Sequence, residues 1–303
     1  RERDYAFAGS VYAFCIWIGI GTLGIYEFFN RFLKSKQVTS VVSVVVCFMA
    51  VPFLMGFHGW DDHDRSNRYT ARDFAINYLE SCEPNAILFT QGDNDTYPLW
   101  YAQEVEGIRT DIRIVNLSLL AVDWYIDYLK RAINTTGPVP FTLTKDKYRG
   151  DKRDVVIYQR KKMKSGQQDN GYDLKKAMQY IASDDPRTKM QSRTGDSYAT
   201  FPSKKVVINV DRQQVEDNKV LSGDEWDRYD SSLSWSVGKR MLYKNDLMVL
   251  DLVAHNDWKR PIYFAVSVSP DAYVGLEKFF RLEGLAYRFV PVKTDNSSGY
   301  FGY

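Results

Sequence analysis

Two carboxylates and an amide stand side by side in the triplet Asp93-Asn94-Asp95, shortly after the apolar run from Ala86 to Thr90. Carboxylate oxygens are the ligands that Mg²⁺ and Mn²⁺ prefer, and two carboxylates at a suitable separation can act together on a glycosidic bond. Asx residues also make turns by bonding their own backbone, and Asp95 or Thr96 could cap a following helix. The residue types therefore allow a ligand site, a metal site or a structural turn.

The segments around this triplet follow the order strand, turn, helix, strand. A helical pattern runs from Tyr97 to Glu106, and a second apolar run follows from Ile112 to Leu117. Such a βαβ unit normally has parallel strands, and ligands of open α/β sheets lie at the carboxyl ends of the strands. We therefore predict a substrate-binding site in the turn and the helix after it, formed by Asp93, Asn94, Asp95, Thr96, Trp100 and Glu104.

A second acidic group lies upstream, at Asp61, Asp62, His63 and Asp64. Three carboxylates and an imidazole within four positions could hold a divalent metal. Adjacent residues point in different directions unless a turn gathers them, so the alternative is a solvated loop in which Asp64 or Ser66 caps the next helix. These four residues remain candidates only; no metal site is assigned and no cofactor is expected.

Two long apolar runs precede the polar part of the chain. Ala6 to Phe29 contains Glu27 as its only charge, and Val38 to Phe57 contains none. Each run reaches the length of about 20 residues that a helix needs to cross a bilayer. The first run is too long for a signal peptide and lacks a basic lead. We therefore predict a transmembrane hairpin over residues 1–57 in a lipid bilayer, with two core helices of a soluble protein as the alternative.

The linker between these runs carries Arg31, Lys34 and Lys36 and no acidic residue. The positive-inside rule makes this linker cytoplasmic, so both ends of the hairpin lie outside the cytoplasm. We expect a multi-pass protein of the cytoplasmic (inner) membrane whose soluble domain faces the periplasm. Because residue 1 is Arg and not Met, we also expect a fragment whose hairpin packs against upstream membrane helices of the same protein.

Helical and strand patterns alternate over residues 58–303, which is typical of an α/β domain. The apolar run from Pro261 to Val268 indicates a strand covered on both faces, as in parallel sheets. Residues 145–203 are polar, include the basic run Arg160 to Lys164, and are predicted to be a solvated insertion with one helix over Tyr172 to Ile181. The predicted fold is two transmembrane helices followed by a mostly parallel, Rossmann-like extracytoplasmic α/β domain.

Composition and missing motifs exclude several classes of protein. A net charge of +2 on 303 residues offers no basic surface for nucleic acid. Cys82 is the single cysteine of the polar part, which can therefore form no internal disulfide. The histidines make no spaced metal motif, and there is no Gly-x-Ser-x-Gly elbow, Walker loop or Gly-x-Gly-x-x-Gly after a strand. A hydrolase or NTPase activity has no residues to support it.

Three segments together resemble a known family: Trp60 to Ser66, Ala86 to Leu120 and Asn256 to Ala265, with Phe89 to Tyr101 as the most specific block. The resemblance is to large bacterial membrane proteins of unknown function that are related to the transmembrane protein O-mannosyltransferases of animals. It implies a polytopic enzyme that transfers a sugar from a polyprenyl-phosphate donor to a protein hydroxyl outside the cytoplasm. The acidic catalytic residue of such enzymes is expected in an early external loop, upstream of residue 1, so no catalytic residue is assigned.

The leading hypothesis is the C-terminal part of a membrane glycosyltransferase whose Asp93, Asn94, Asp95 and Trp100 line a groove for acceptor protein or glycan. A non-enzymatic envelope module that binds a partner or assists assembly is the first alternative. A metal-dependent site at the Asp93-Asn94-Asp95 turn, as in glycosyltransferases that use nucleotide sugars, is the second. The expected location of the domain outside the cytoplasm argues against this metal-dependent site, because nucleotide sugars are made in the cytoplasm.

Overall fold

The computed structural model describes residues 4–159, 171–191, 195 and 197–292. The chain divides into two compact units, Arg1–Arg68 and Tyr69–Tyr303. The first unit is helical, and the second combines helices with β-sheets. The predicted mixed α/β architecture behind two apolar helices is therefore confirmed.

The first unit contains two long apolar helical stretches. Its elements are a 3₁₀ turn (Asp4–Phe7), α1 (Ala8–Asn30), α2 (Lys36–Phe48), a π-helical turn (Met49–Phe53) and α3 (Leu54–His63). The continuous stretches Tyr5–Asn30 and Lys36–Asp61 are each 26 residues long, with mean hydropathies of 1.7 and 2.4. By length and composition each can span a bilayer. α1 buries none of its side chains, unlike the apolar core helix of a soluble protein.

A proline interrupts the regular hydrogen bonding of the second apolar stretch. Pro52 lies inside the π-helical turn. Because proline has no N–H to donate and its ring collides with the carbonyl of the preceding turn, the α-helical hydrogen bonding is interrupted here. The two buried hydroxyls of α2 bond to their own helix: Ser43 donates to the Thr39 carbonyl at 2.8 Å, and Thr39 donates to the Ser35 carbonyl at 3.0 Å. These donors are therefore satisfied without water.

Short helices and strands alternate through the second unit. Within its described residues the helices are α4 (Thr70–Glu80), α5 (Asp93–Glu104), α6 (Asp123–Leu129), α7 (Lys145–Tyr148), α8 (Leu174–Ala182), α9 (Arg212–Asp217) and α10 (Lys244–His255). The strands are β1 (Ile87–Thr90), β2 (Arg113–Asn116), β3 (Val155–Tyr158), β4 (Tyr172–Asp173), β5 (Lys189–Gln191), β6 (Ser197–Phe201), β7 (Lys205–Asn209), β8 (Ser232–Ser236), β9 (Leu242–Tyr243), β10 (Ile262–Ala265), β11 (Phe280–Glu283) and β12 (Ala286–Phe289).

The largest sheet has the strand order β11-β12-β10-β1-β2. β1 pairs in parallel with β2 and β10, and every residue of these three strands is buried. β12 runs antiparallel to both β10 and β11. The sheet is therefore mixed, and neither the predicted mostly parallel sheet nor a Rossmann-like arrangement is confirmed. The cause is a two-residue turn in which Gly284 has φ +55, since a tight hairpin joins antiparallel strands without a crossover helix.

Two smaller sheets have the orders β5-β6-β3-β9 and β4-β7-β8, and both mix parallel with antiparallel pairs. Segment 145–203 contributes strands and α8 to them, and its Val156, Leu174 and Phe201 are fully buried. This segment thus contributes buried side chains to the core, although its composition predicts a solvated insertion, and its β5 is exposed throughout. The predicted helix after Tyr172 is present as α8. The basic run Arg160 to Lys164 lies outside the described residues.

Candidate functional site

The carboxyl ends of β1 and β10 are neighbours, because the two strands pair in parallel. After β1 the chain passes through α5 to β2 on one side of the sheet, whereas after β10 it passes to β11 and β12 on the other side. The two loops therefore diverge. Open α/β sheets bind ligands at such a topological switch point. We call the place between residues 91–95 and 266–269, which follow the two strands, the switch-point crevice.

The acidic triplet forms the first turn of α5 rather than a separate turn before it. α5 begins at Asp93, and Gly92 is its N-cap residue with φ +86 and ψ 176. This conformation is almost restricted to glycine, so the helix starts earlier than the sequence predicts. No side chain caps it, and the predicted cap by Asp95 or Thr96 is therefore wrong. The acidic side chains instead lie at the positive end of the helix dipole, which stabilises negative charge.

A buried network holds Gly92 in place. The Thr96 hydroxyl donates to the Gly92 carbonyl at 2.6 Å, and Asn116 Nδ2 donates to Thr96 Oγ1 at 2.8 Å and to the Gly92 carbonyl at 3.0 Å. Thr90 Oγ1 lies 2.8 Å from Thr96 Oγ1. Thr96 has a single proton, which goes to Gly92, so Thr90 is the donor between the two hydroxyls. Thr96 is fully buried, and its bond to the Gly92 carbonyl holds the turn in place.

Hydrogen bonds also connect the two sides of the crevice. The Ser267 hydroxyl donates to the Asp95 carboxylate, and the backbone N–H of Ser269 donates to Gln91 Oε1 at 2.7 Å. The Tyr78 hydroxyl of α4 lies 3.3 Å from Ser267 Oγ. Burial raises the pKa of Tyr78, and the Asp95 carboxylate adds to the increase, while the bond to Ser267 opposes it. Tyr78 therefore stays a neutral hydrogen-bonding group beneath the crevice.

Two predicted site residues at the crevice face solvent. Asp93 and Asn94 are exposed, and Asp93 Oδ1 accepts only a local bond at 3.1 Å, from the Asn94 backbone N–H. Asp95 is half-buried and committed to Ser267. The crevice therefore offers water, or a ligand, one exposed carboxylate and one exposed amide on a fixed backbone. This arrangement can accept and donate hydrogen bonds, as recognition of hydroxyl or peptide groups requires.

Trp100 and Glu104 lie further along α5. Glu104 is ten residues from Asn94, which at the helical rise is about 15 Å, and it accepts a hydrogen bond from Asn134 Nδ2 at 2.9 Å. Trp100 is half-buried, with its ring 5.6 Å from the Tyr97 ring. Both line a small cavity of about 20 Å³. The structure thus brings Asp93, Asn94 and Asp95 together and separates Glu104 from them.

The upstream acidic group is partly helical. α3 continues to His63, whose Nδ1 lies 2.7 Å from the Gly59 carbonyl, and Asp64 accepts a bond from the Ser66 backbone N–H at 2.9 Å. Hydrogen bonds from Ser66 lower the pKa of Asp64. Asp61 is exposed, and the side chain of Asp62 is outside the described part. Across the described residues, no group of three or more His, Cys, Asp or Glu side chains could hold a metal ion.

Sequence reasoning missed the partners of the triplet. Gln91, Asn116, Ser267 and Ser269 all lie at or just after the carboxyl ends of β1, β2 and β10. A signal existed, since the strand-end rule that selected Asp93 applies equally to polar residues after the other parallel strands. It could not be used because the pairing of β1 with β10, 175 residues apart in the Ile87–Ile262 register, is not visible in the sequence.

The fold and the crevice define an α/β protein with two potential membrane-spanning helices and a polar site at the switch point of its largest sheet. Comparison with known families is more specific. The family model of TMEM260-associated domain 2 matches residues 71–302, and the chain therefore belongs to this family.

A curated relative is the Protein O-mannosyl-transferase tmem260 of Dictyostelium discoideum, which is 24% identical over 121 residues. The match covers 36% of this chain and 15% of the relative, so the chain spans only a small part of the relative's length. No solved structure matches. The resemblance to protein O-mannosyltransferases expected from the sequence is confirmed at the level of a related family.

Proposed function

We propose that this chain is the C-terminal part of an integral membrane glycosyltransferase of the protein O-mannosyltransferase type, and that its second unit binds the acceptor in the switch-point crevice. The observation that carries the proposal is the exposure of Asp93 and Asn94 on a backbone fixed by buried hydrogen bonds. Groups held rigidly before the ligand arrives lose little entropy on binding. The catalytic residue belongs to another part of the protein.

The two apolar helices support a membrane location for this enzyme. The linker residues Arg31, Lys34 and Lys36 favour a cytoplasmic linker by the positive-inside rule, with the second unit on the outer, periplasmic side. A polyprenyl-phosphate sugar is the proposed donor, since it can present its sugar on that side. The glycines Gly19, Gly21 and Gly24 have open space around them in the described residues, which suits packing against upstream membrane helices.

Transfer kinetics of the full-length protein test the acceptor site. In Asp93→Asn the negative charge is lost while the side chain keeps its size, and we expect KM for an acceptor peptide to rise about tenfold, the effect of one charged hydrogen bond. The turnover number and KM for the donor should not change, because the residue contributes binding and no chemistry. Asp227→Asn is the matched control, since Asp227 is an exposed carboxylate of a different element, the 3₁₀ helix Gly223–Arg228.

An unchanged KM for the acceptor in Asp93→Asn would show that the crevice does not bind the acceptor. Transfer assays on the wild-type protein separate the alternatives. A binding or assembly module would leave the lipid-linked sugar unconsumed even by the wild-type protein. A metal-dependent site would lose its transfer activity in EDTA and recover it with Mg²⁺ or Mn²⁺.

A further inference from the structure

A second cavity lies at the opposite, amino end of β10. Its volume is about 280 Å³, close to the lower limit of about 300 Å³ for small-molecule sites. Polar lining residues come from α8, the end of β7, α9 with the residue before it, and the segment between α10 and β10. Apolar side chains, among them Ile262 and Phe289, complete the wall. Because β10 has four residues, the cavity and the crevice are about 13 Å apart along the strand.

The amide of Asn256 lies directly behind this lining. Asn256 is 4% exposed, and its Nδ2 donates to the Arg260 carbonyl at 2.8 Å. Its Oδ1 has no hydrogen-bond partner among the described residues and is itself closed to solvent. A ligand in the cavity therefore contacts the exposed groups of the lining and does not reach this atom.

The charges of the lining cancel. Lys175 and Lys259 supply two positive charges, and Asp211 and Asp257 supply two negative charges. Lys175 Nζ lies 2.6 Å from Asp257 Oδ1, so this pair neutralises itself within the cavity wall. The other polar groups of the lining include the amides of Asn209 and Gln214. The cavity therefore suits a neutral ligand with several hydrogen-bonding groups.

One wall of the cavity is rigid and aromatic. The Trp258 ring stacks on the Phe289 ring at 4.9 Å between centroids and 17° between planes. Asp257 and Trp258 have φ values of +47 and +59, a conformation that is uncommon and costly for residues other than glycine. This strained pair follows the buried Asn256 directly, in the segment between α10 and β10.

We propose that this cavity binds a neutral, polyhydroxylated molecule of monosaccharide size, held by the amides and the paired charges of its lining. The polar amides contact the hydroxyl edges of the ligand, and the aliphatic and aromatic wall contacts its C–H faces. The site is separate from the acceptor crevice and does not depend on the proposed transfer activity.

Calorimetry on the full chain in a detergent without a sugar headgroup tests the proposal, with D-glucose, D-mannose and D-galactose as probes. We expect at least one of these sugars to bind. In Gln214→Trp the larger side chain of a half-buried lining residue occupies part of the cavity, and we expect at least about tenfold weaker binding, the equivalent of one lost hydrogen bond. Gln213→Trp is the matched control, because Gln213 is the exposed neighbour on α9 and does not line the cavity.

Asn209→Leu removes an exposed amide of the lining and should also weaken binding about tenfold. The comparison of the Gln213 and Gln214 variants remains the deciding one. The proposal is overturned if none of the three sugars binds at millimolar concentration, or if Gln214→Trp binds as tightly as Gln213→Trp. Binding of sulfate that competes with the sugar would overturn the assignment of a neutral ligand.

Discussion

The buried polar groups at the two ends of the same parallel strands differ in how completely they are hydrogen-bonded. At the carboxyl end, the buried hydroxyls of Thr90 and Thr96 and the amide of Asn116 satisfy one another, and the charge of Asp93 is left to solvent. At the amino end, Asn256 Oδ1 is buried without a partner among the described residues, and the buried Arg260 guanidinium bonds to backbone carbonyls. A complete network fixes a backbone, whereas an incomplete one leaves a buried polar group without compensation.

Arg260 gives the largest expected effect on this comparison. Its guanidinium donates to the carbonyls of Asn85 at 2.8 Å and of Ala86, Gly137 and Pro138 at 3.3 Å, and burial lowers its pKa to about 10. Arg260→Met removes the donor to the carbonyls of Asn85, Gly137 and Pro138, whereas the Ala86 carbonyl keeps its bond from the Arg113 backbone N–H at 2.8 Å. The free energy of unfolding of the full chain should therefore fall by about 3 kcal/mol. Urea titration in micelles measures the change.

Arg212→Met is the control for that prediction. Arg212 is exposed, and its ion pair with Glu216 at 2.9 Å is a surface i,i+4 pair. Its loss should cost less than about 1 kcal/mol. Equal effects of the two substitutions would contradict the idea that Arg260 holds the amino end of the sheet together.

Thr96→Val should have the next largest effect, at the other end. Valine has nearly the same shape, but it cannot donate to Gly92 or accept from Asn116 and Thr90. We expect a loss of about 2 kcal/mol in the free energy of unfolding, the cost of unpaired buried groups. Thr110→Val, at the more exposed Thr110–Thr135 contact, should change it by no more than about 0.5 kcal/mol. If both variants are equally stable, the carboxyl-end network does not fix the turn.

The smallest effect is a pH dependence beside the amino-end cavity. His255 Nδ1 lies 3.0 Å from Asp251 Oδ1, and this hydrogen bond raises the pKa of His255, while burial and Lys175 oppose the increase. A base whose pKa is raised by folding stabilises the folded state fully below its unfolded pKa of about 6.5, and the contribution is lost as pH rises through the folded pKa. The wild-type stability should therefore decrease in this window. In His255→Gln that decrease should disappear, and a persisting slope would assign it to another group.

Local patterns predict the parallel centre of the fold and the carboxyl-end triplet. The apolar runs at β1, β2 and β10 identify buried strands because strands covered on both faces are apolar throughout. The hairpin of β11 and β12 was not predicted, although Phe280 and Leu282 alternate with Arg281 and Glu283, because the position of its turn depends on the conformation of Gly284. The segment from Asn256 to Ala265 was selected by resemblance, and the local pattern predicted only the strand within it. Its cavity depends on α8 and α9, which come from distant parts of the sequence.

The bonds between Arg260 and these carbonyls also constrain the order in which the two ends of the sheet can form. The carbonyls belong to residues 174 and 175 positions earlier, before β1, and 122 and 123 positions earlier, after α6. During synthesis these acceptors leave the ribosome long before the cation that satisfies them, and closing such long loops slows folding. The carboxyl-end turn from Gly92 to Asn116 can form while the rest of the chain is still being made, whereas the amino end of the sheet cannot be completed before Arg260 is available.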